Sequence, residues 1–217
     1  MELYEYKKMV CDRSKEAYAE GLLEGMNGNL SVFAREHGAV VITPSQFPYE
    51  EYTPEEMVVI DLDGNLIEAP HKPSSEWIMH TMVYKAREDV NAVFHTHSPY
   101  ASAFAVAHRP IPAILVEMIP MLGDYVPLAE FSMPGTEEMG LNAFKVLDGF
   151  GGCLLMNHGV LAIGTTLHEA YLRAGYIETG ARVCALAESL GGAFPLTEQQ
   201  ARAVASHYGM LGTKEDE

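Results

Sequence analysis

Two histidines stand one residue apart at the end of an apolar run, in the segment VFHTHSPY over residues 93–100. Residues i and i+2 of a β-strand point to the same face, so His95 and His97 project together. Their Cα atoms are then about 6–7 Å apart, from which two imidazoles can reach one metal ion. Taken alone, the pair is equally compatible with two histidines that end a strand and bind nothing.

A third histidine and a carboxylate extend the pattern. His158 follows an apolar strand-like run and precedes Gly159, which is typical of a strand end held by a tight turn. Glu76 lies in KPSSEW, early in a predicted helix, where a glutamate also complements the helix dipole. Three histidines and one carboxylate suit Zn²⁺, whose catalytic sites keep one ligand position for substrate.

Other uses of an H-x-H pair fit less well. A cupin has a glutamate a few residues after the second histidine, and SPYASAF contains none. A zinc hydrolase of the H-x-H-x-D-H type needs further ligands that this segment also lacks. The remaining histidines are predicted to face solvent or to be structural: His37, His71, His80, His108, His168 and His207.

Composition favours one soluble domain and argues against several functions. The 217 residues are enough for one substantial core, and the formal net charge of -16 argues against binding nucleic acid. No run approaches the roughly 20 apolar residues that span a bilayer, and the polar N-terminus predicts no secretory signal. Cys11, Cys153 and Cys184 are scattered, as in proteins with reduced thiols. We therefore expect a cytoplasmic protein with no membrane contact.

The sequence predicts alternating helices and short strands, and these elements must position the candidate residues. Helices are predicted over residues 2–23 and 75–87, from Ser98-Pro99, from Thr166 to about Leu190, and after Thr197. Strands are predicted over 29–33, 39–43, 57–62, 91–97, 113–118, 153–156 and 160–163, with a hairpin at Asp63-Gly64. This order predicts an α/β protein with a single, mainly antiparallel sheet and helices packed over it.

Several short motifs together resemble a known family. They are GNLS (28–31), KPSSEW (72–77), VFHTHS (93–98), MNHGVLA (156–162) and GTTLHEA (164–170). The sequence resembles the zinc-dependent class II aldolases of the fuculose-phosphate aldolase type, a superfamily that includes ribulose-5-phosphate 4-epimerase and the adducin head. The resemblance implies a nine-stranded sheet flanked by helices on both faces, a three-layer α/β/α arrangement. It also implies one such domain over residues 1–212 and a homotetramer with active sites at subunit interfaces. The charged tail TKEDE over residues 213–217 is predicted to be disordered.

The resemblance also assigns roles to residues. His95, His97 and His158 would bind one Zn²⁺ per subunit, and Glu76 would bind it at rest and serve as the base with substrate bound. The related epimerases usually have Asp in that motif, so Glu76 favours an aldolase. Tyr208 stands where these aldolases keep a tyrosine that reaches into a neighbouring subunit, although it could equally cover apolar surface.

Three loops of the family bind phosphate. Their counterparts here are Gly28, Asn29, Thr43, Ser45, Gln46, Ser74 and Ser75. Gln46 replaces a glycine whose backbone N–H normally approaches the phosphate, and Met26-Asn27 replace small residues. Val116 stands where the family has a tyrosine. These differences leave open whether the substrate is phosphorylated.

The function implied is cleavage of a ketose 1-phosphate to dihydroxyacetone phosphate and an aldehyde through an enediolate. An epimerase, a sugar-acid phosphate decarboxylase and a methylthioribulose-phosphate dehydratase remain alternatives, because each can use the same type of metal site. A non-catalytic interaction module, as in the adducin head, is disfavoured by the intact set of ligands. The sequence does not identify the aldehyde.

Overall fold

A computed structural model describes residues 1–209, which form ten strands and seven helices. The strands are β1 (Asn29–Ala34), β2 (Ala39–Ile42), β3 (Val58–Ile60), β4 (Leu66–Glu68), β5 (Ala92–Thr96), β6 (Ile111–Pro112), β7 (Tyr125–Val126), β8 (Leu128–Ala129), β9 (Gly152–Leu155) and β10 (Gly159–Gly164). The helices are α1 (Leu3–Ala19), α2 (Trp77–Ala86), α3 (Pro99–Val106), α4 (Met118–Leu122), α5 (Glu137–Val146), α6 (Leu167–Ser189) and α7 (Glu198–His207).

Eight strands form one mostly antiparallel sheet in the order β4-β3-β2-β1-β5-β10-β9-β8. Within residues 1–209, only β8 and β9 pair in parallel. The implied ninth strand is absent from this sheet in the described part of the chain, and β6 pairs separately with β7. Each of these two strands is two residues long, and Pro112 has no N–H to donate to a longer ladder.

Residues along the strands alternate between two hydrophobic clusters, as the two-residue period of a strand requires. In β5, for example, Val93 belongs to one cluster and Phe94 to the other. The cluster with Phe94 also contains residues of α1, α3 and α6, and the cluster with Val93 contains residues of α2 and α5. The sheet therefore contributes side chains to two separate hydrophobic cores.

The predicted strand over residues 113–118 is wrong. β6 ends at Pro112, α4 begins at Met118, and turns join them. Val116 is 51% exposed, because no neighbouring strand covers this run. A short apolar run does not by itself distinguish a strand from a buried helix and its approach.

Helix ends agree with the sequence in part. The capping box at Thr197 is complete. Thr166 accepts a hydrogen bond from Glu169 N, but the Glu169 carboxylate accepts from Thr165, so that box is only half formed. α1 ends at Ala19, before Gly21 with a φ of +78°, rather than near residue 23.

α3 begins as expected at Ser98-Pro99, but the Ser98 side chain does not cap it. The Glu178 carboxylate instead accepts hydrogen bonds from the backbone N–H groups of Tyr100 and Ala101. None of the helices within residues 1–209 combines the length and apolarity needed to cross a bilayer. The tail over 213–217 lies outside the described residues, as does the last part of the 1–212 domain.

The strand order brings the candidate residues to one edge of the sheet. β5 lies between β1 and β10, and its register places His95 opposite Asn29 on one side and Leu161 on the other. The start of β1, the end of β5 and the turn before β10 therefore meet.

Candidate metal centre and substrate cavity

The three histidines converge on one point. His95 and His97 come from the end of β5, and His158 lies in the turn between β9 and β10. Their candidate ligand atoms lie within 4.8 Å of one another, and each pair of ring centroids is 4.8 Å apart. His95 Nε2 and His97 Nε2 are only 2.9 Å apart. Three imidazoles in this arrangement could hold one metal ion.

Hydrogen bonding and burial prepare these rings to bind a cation. His95 Nδ1 lies 2.7 Å from the carbonyl oxygen of Val160, so Nδ1 carries the proton and Nε2 presents a lone pair. Burial lowers the pKa values of His97 and His158 to about 4. Both rings are then neutral near pH 7, and neutral imidazole is the form that binds metals.

Glu76 completes the group from the N-cap position of α2. Its Oε2 lies 3.1 Å from His95 Nε2, and its Oε1 lies 3.3 Å from His158 Nε2. Asn29 Nδ2 donates to Oε2 over 2.7 Å, whereas the buried Oε1 has no hydrogen-bond partner. Burial would raise the pKa of the Glu76 carboxyl, but the adjacent His95 ring and the Asn29 hydrogen bond hold it below its usual value.

The donor set fits a divalent metal ion. Two Nε2 lone pairs 2.9 Å apart repel each other unless a proton or a cation lies between them. A cation would also satisfy the carboxylate oxygen of Glu76 that has no partner. Three imidazole nitrogens and one carboxylate are ligand types found in catalytic zinc sites.

Two glycines allow the backbones around this centre to approach closely. Gly28 has a φ of +85°, and a Cβ atom there would lie 2.8 Å from the carbonyl oxygen of His95. At Gly159 a Cβ atom would lie 2.3 Å from the carbonyl oxygen of Thr96. Any larger residue at either position would push its segment away from the histidine strand.

A cavity of about 360 Å³ opens beside the histidines. It is lined by Met26, Asn27, Gly28, Asn29, Pro44, Ser45, Gln46, Ser74, Ser75, Glu76, His97, Pro134 and His158. No lysine or arginine is among these residues. The cavity therefore offers hydroxyl, amide and backbone groups beside the metal centre.

Backbone hydrogen bonds hold two of the predicted phosphate loops together. Ser45 N donates to the carbonyl oxygen of Lys72, and Ser74 N donates to that of Thr43. Gln46, at the tip of its loop, has a φ of +53°, which few residues other than glycine adopt. Thr43 does not line the cavity, because its buried side chain accepts a hydrogen bond from Leu30 N.

Comparison with known proteins identifies the family. Residues 8–185 match the family described as Class II Aldolase and Adducin N-terminal domain. The chain belongs to this family. The resemblance seen in the sequence is therefore confirmed, and so is the expectation of an enzyme of the class II aldolase type.

Individual relatives cover most of the chain. A 5-deoxy-D-ribulose 1-phosphate aldolase from Bacillus thuringiensis serovar kurstaki is 37% identical over 88% of this chain and 89% of the relative. A 5-methylthioribulose-1-phosphate/5-deoxyribulose-1-phosphate aldolase from Escherichia coli O45:K1 is 35% identical over 82% and 83%. The solved structure of an L-fuculose 1-phosphate aldolase aligns with a TM-score of 0.89, at 35% identity, over 94% of this chain and 96% of that one.

Within this class II aldolase chain, the structure gathers most but not all of the predicted site residues. The four predicted metal ligands lie together, and six of the seven predicted phosphate residues line the cavity. Tyr208 follows α7, is 58% exposed and does not line the cavity of its own chain. Thr43 is the phosphate residue that the structure places elsewhere.

The sequence analysis missed the partners of Glu76 on its buried side. His80, predicted only to be structural or exposed, is completely buried and hydrogen-bonded to Asn29. Ser31 contacts the other nitrogen of the same ring. Residue spacing could have indicated these partners. Glu76 and His80 are four residues apart at the start of a helix and so share one face. Asn29 and Ser31 are two residues apart in a strand and likewise share a face.

A larger cavity of about 480 Å³ lies elsewhere, near the start of α6 and the end of β1. Its two guanidinium groups are already engaged. Arg35 donates to Asn91 and to backbone carbonyls, and Arg13 pairs with Glu16. This cavity has no counterpart of the histidine cluster.

Proposed function

We propose that this chain is a zinc-dependent aldolase that cleaves a 5-deoxyketose 1-phosphate into dihydroxyacetone phosphate and a short aldehyde. One observation carries the proposal. The buried, unpaired carboxylate oxygen of Glu76 lies among three convergent histidines, beside a cavity lined by Ser74 and Ser75. The names of the relatives, which include 5-deoxyribulose 1-phosphate aldolases, support the substrate class.

The metal would be held by His95, His97 and His158, with Glu76 as the fourth ligand before substrate binds. A bound Zn²⁺ supplies a Lewis acid that polarises the substrate carbonyl and makes the neighbouring C–H group more acidic. Glu76 can leave such a site without unfolding it, because Asn29 continues to hold Oε2.

The protein groups move two protons in the proposed cleavage. With 5-deoxyribulose 1-phosphate, the C3–C4 bond breaks as the C4 hydroxyl gives up its proton, and C4 and C5 leave as acetaldehyde. Tyr208 of another copy, acting as its phenolate, accepts that proton, and Glu76, acting as its protonated carboxyl group, gives a proton to C3 to complete dihydroxyacetone phosphate. In the condensation direction Glu76 takes the C3 proton as a general base.

The phosphate is proposed to bind without basic residues. Glu76 N donates to Ser74 Oγ, so the Ser74 hydroxyl hydrogen stays free to reach a phosphate oxygen. Ser45, Gln46, Ser75 and Gly28 line the same cavity. Asn29 can offer only its second amide hydrogen, because Glu76 and His80 occupy its other polar positions. Thr43 contributes by holding the loop that carries Ser45 and Gln46.

The remaining expectations belong to the same proposal. The exposed position of Tyr208 supports a homotetramer in which each active site lies at a subunit interface. The two hydrophobic clusters support the three-layer α/β/α arrangement. A cytoplasmic location agrees with the three reduced, buried cysteines.

The variant Glu76→Gln tests the chemistry. Because general base catalysis contributes about 10²–10⁴-fold, the variant should lose that much of the exchange of the C3 hydrogen of dihydroxyacetone phosphate with deuterated water. The measurement is proton NMR of the metal-loaded protein with this substrate. The comparison variant is His97→Ala, which should lose bound metal and activity together, whereas Glu76→Gln should stay folded. Full exchange by Glu76→Gln would contradict its role as the base.

A product assay distinguishes the alternatives. Release of free aldehyde, followed with a coupled dehydrogenase, supports an aldolase. Formation of an isomeric pentulose phosphate without free aldehyde would indicate an epimerase, release of CO₂ a decarboxylase, and loss of water from methylthioribulose 1-phosphate a dehydratase.

A further inference from the structure

A series of buried hydrogen bonds leads from Glu76 into the core. Asn29 Nδ2 donates to Glu76 Oε2 over 2.7 Å, and Asn29 Oδ1 lies 2.6 Å from His80 Nε2. On the other side of the imidazole, His80 Nδ1 lies 2.7 Å from Ser31 Oγ. The Tyr84 hydroxyl contacts the Ser31 side chain and donates to the Ser31 carbonyl oxygen, which ends the series. None of these residues is more than 5% exposed.

An ionised Glu76 sets the direction of every bond in this series. A carboxylate can only accept hydrogen bonds, so Asn29 must turn its NH₂ group toward Glu76 and its carbonyl oxygen toward His80. His80 must then carry its proton on Nε2 in order to donate to that oxygen. Its unprotonated Nδ1 in turn accepts the hydroxyl hydrogen of Ser31. Only this arrangement of donors satisfies all three bonds.

The environment of His80 keeps it in this state. The ring is completely buried, and burial lowers its pKa to about 3, so it is neutral near pH 7 and has a single N–H. Asn29 Oδ1, which can only accept, and the Ser31 hydroxyl, which donates to Nδ1, together place the proton on Nε2. The ring is therefore a fixed donor toward Asn29.

We propose that His80 is a positioning residue for proton transfer by Glu76 and that it acts through the side-chain amide of Asn29. This inference rests on the proposed function. The pair holds Glu76 Oε2 as a hydrogen-bond acceptor, and the partnerless Oε1 is left as the oxygen that exchanges a proton with the substrate. His80 thereby distinguishes two oxygens that are equivalent in a free carboxylate.

Variants of α2 test this role in the metal-loaded protein. His80→Leu removes the donor to Asn29, and loss of such an outer partner typically costs about 10–100-fold in activity. The exchange rate of the C3 hydrogen and kcat should fall together by that factor, while KM for the ketose 1-phosphate stays the same. His80→Gln keeps an N–H near the Nε2 position and should restore most of the rate.

Thr81→Val is the matched control. Thr81 is the buried neighbour of His80 on the same helix, and its hydroxyl bonds only to the Ile78 carbonyl oxygen. This variant should keep wild-type kcat and exchange. If His80→Leu matched Thr81→Val in both, the role of His80 would be overturned.

A second measurement needs neither substrate nor activity. Nitrogen-15 NMR of the histidine rings should show His80 as the Nε2–H tautomer, with a proton that exchanges slowly with water. Ser31→Ala, which removes the donor to Nδ1, should yield a mixture of tautomers and a reduced exchange rate at C3. An Nδ1–H tautomer in the wild-type protein would overturn the inference even if His80→Leu did not fold.

The two proposals fail in different ways. A wild-type protein that cleaves no ketose 1-phosphate and exchanges no C3 hydrogen would overturn the proposed function. A wild-type protein that does both, with His80→Leu unaffected, would overturn only the role of His80.

Discussion

At the scale of single residues, this site depends on which polar atoms have partners and which do not. Asn29 satisfies Glu76 Oε2, and Val160 satisfies His95 Nδ1, whereas Glu76 Oε1 has no hydrogen-bond partner despite its burial. Leaving a buried polar group unsatisfied costs about 1–3 kcal/mol in a folded protein. A metal ion or a substrate bound at this position would supply the missing partner and remove this cost.

Gln46 is a strained residue at the edge of the cavity. Its φ of +53° costs about 1–2 kcal/mol in a residue with a Cβ atom, and glycine would avoid this cost. Gln46→Gly also makes the unfolded chain more flexible, which favours unfolding by about 0.4–1 kcal/mol. We therefore expect the free energy of unfolding to rise by about 1 kcal/mol in total. In a chain of this size that raises the unfolding temperature by about 2–4 °C, which calorimetry measures.

A second variant, Gln46→Ala, tests whether the Gln46 side chain binds phosphate. It keeps the Cβ atom, and therefore the backbone strain, but it removes the side-chain amide. If the amide donates to the phosphate, KM for a ketose 1-phosphate should rise by about 10–100-fold at unchanged kcat, as expected for a lost hydrogen bond to a charged group. The KM for the unphosphorylated ketose should not change. An equal effect on both ketoses would show that Gln46 does not contact the phosphate.

The residues that could be predicted from the sequence are those whose geometry is local. His95 and His97 share a face because a strand has a two-residue period, and that holds in any fold. The link from Glu76 through Asn29 to His80 joins the start of α2 to β1, so it depends on how the helix crosses the sheet. No spacing within either segment specifies that crossing.

At the scale of elements, the close pairing of β10 with β5 determines where His158 lies. Gly159 follows His158 directly and begins β10, and a Cβ atom there would lie 2.3 Å from the carbonyl oxygen of Thr96. The strand register thus allows only glycine at this position. A side chain would move the turn that carries His158 away from the other two histidines.

Gly159→Ala should therefore destabilise the chain and weaken metal binding together. Forcing an extra methyl group into a packed region typically costs about 1–3 kcal/mol. Chemical denaturation measures the stability, and metal analysis after dialysis measures the binding. Gly175→Ala in α6 is the control, because its Cβ atom meets nothing within 4 Å and alanine is favoured in a helix by about 1 kcal/mol. Equal stability of the two variants would contradict the packing argument.

Prediction failed at the element scale where a segment lacked a periodic pattern. The run AILVEM is apolar without alternation, and the structure divides it between a turn and the start of α4. The order of the strands in the sheet could not be predicted from the sequence either. Strand pairing joins residues that are far apart in the chain, as where β5 lies between β1 and β10. The helix that starts at Thr197 was predicted well, because its capping box is local.

At the scale of the whole molecule, the negative charge of the chain and a phosphorylated substrate are compatible. The formal net charge of -16 repels anions at long range, and no lysine or arginine of residues 1–209 lines the cavity. Recognition would then depend on hydroxyl and amide groups at short range, with the charge of the metal ion nearby. Exposed charges are screened beyond about 8–10 Å at physiological salt, so the net charge affects the encounter more than the bound state.

Tyr208 raises the question of how many copies of the chain form one active site. It is exposed, follows α7 and is not part of the cavity of its own chain. If it takes part in the proton transfer, it must do so in another subunit. Glu76 and Tyr208 would then belong to different copies at every site, which can be tested without a structure of the assembly.

Glu76→Gln and Tyr208→Phe should each lower aldolase activity in the pure state, and a reassembled mixture of the two should regain part of it. In a ring of subunits with interfacial sites, equal mixing leaves about a quarter of the sites with both an intact Glu76 and an intact Tyr208. The measurement is aldehyde release after joint unfolding and refolding, with each variant refolded alone as the control. Mass spectrometry of the intact assemblies confirms that subunits have mixed. Mixed assemblies no more active than the average of the two variants would show that Tyr208 does not act across a subunit interface.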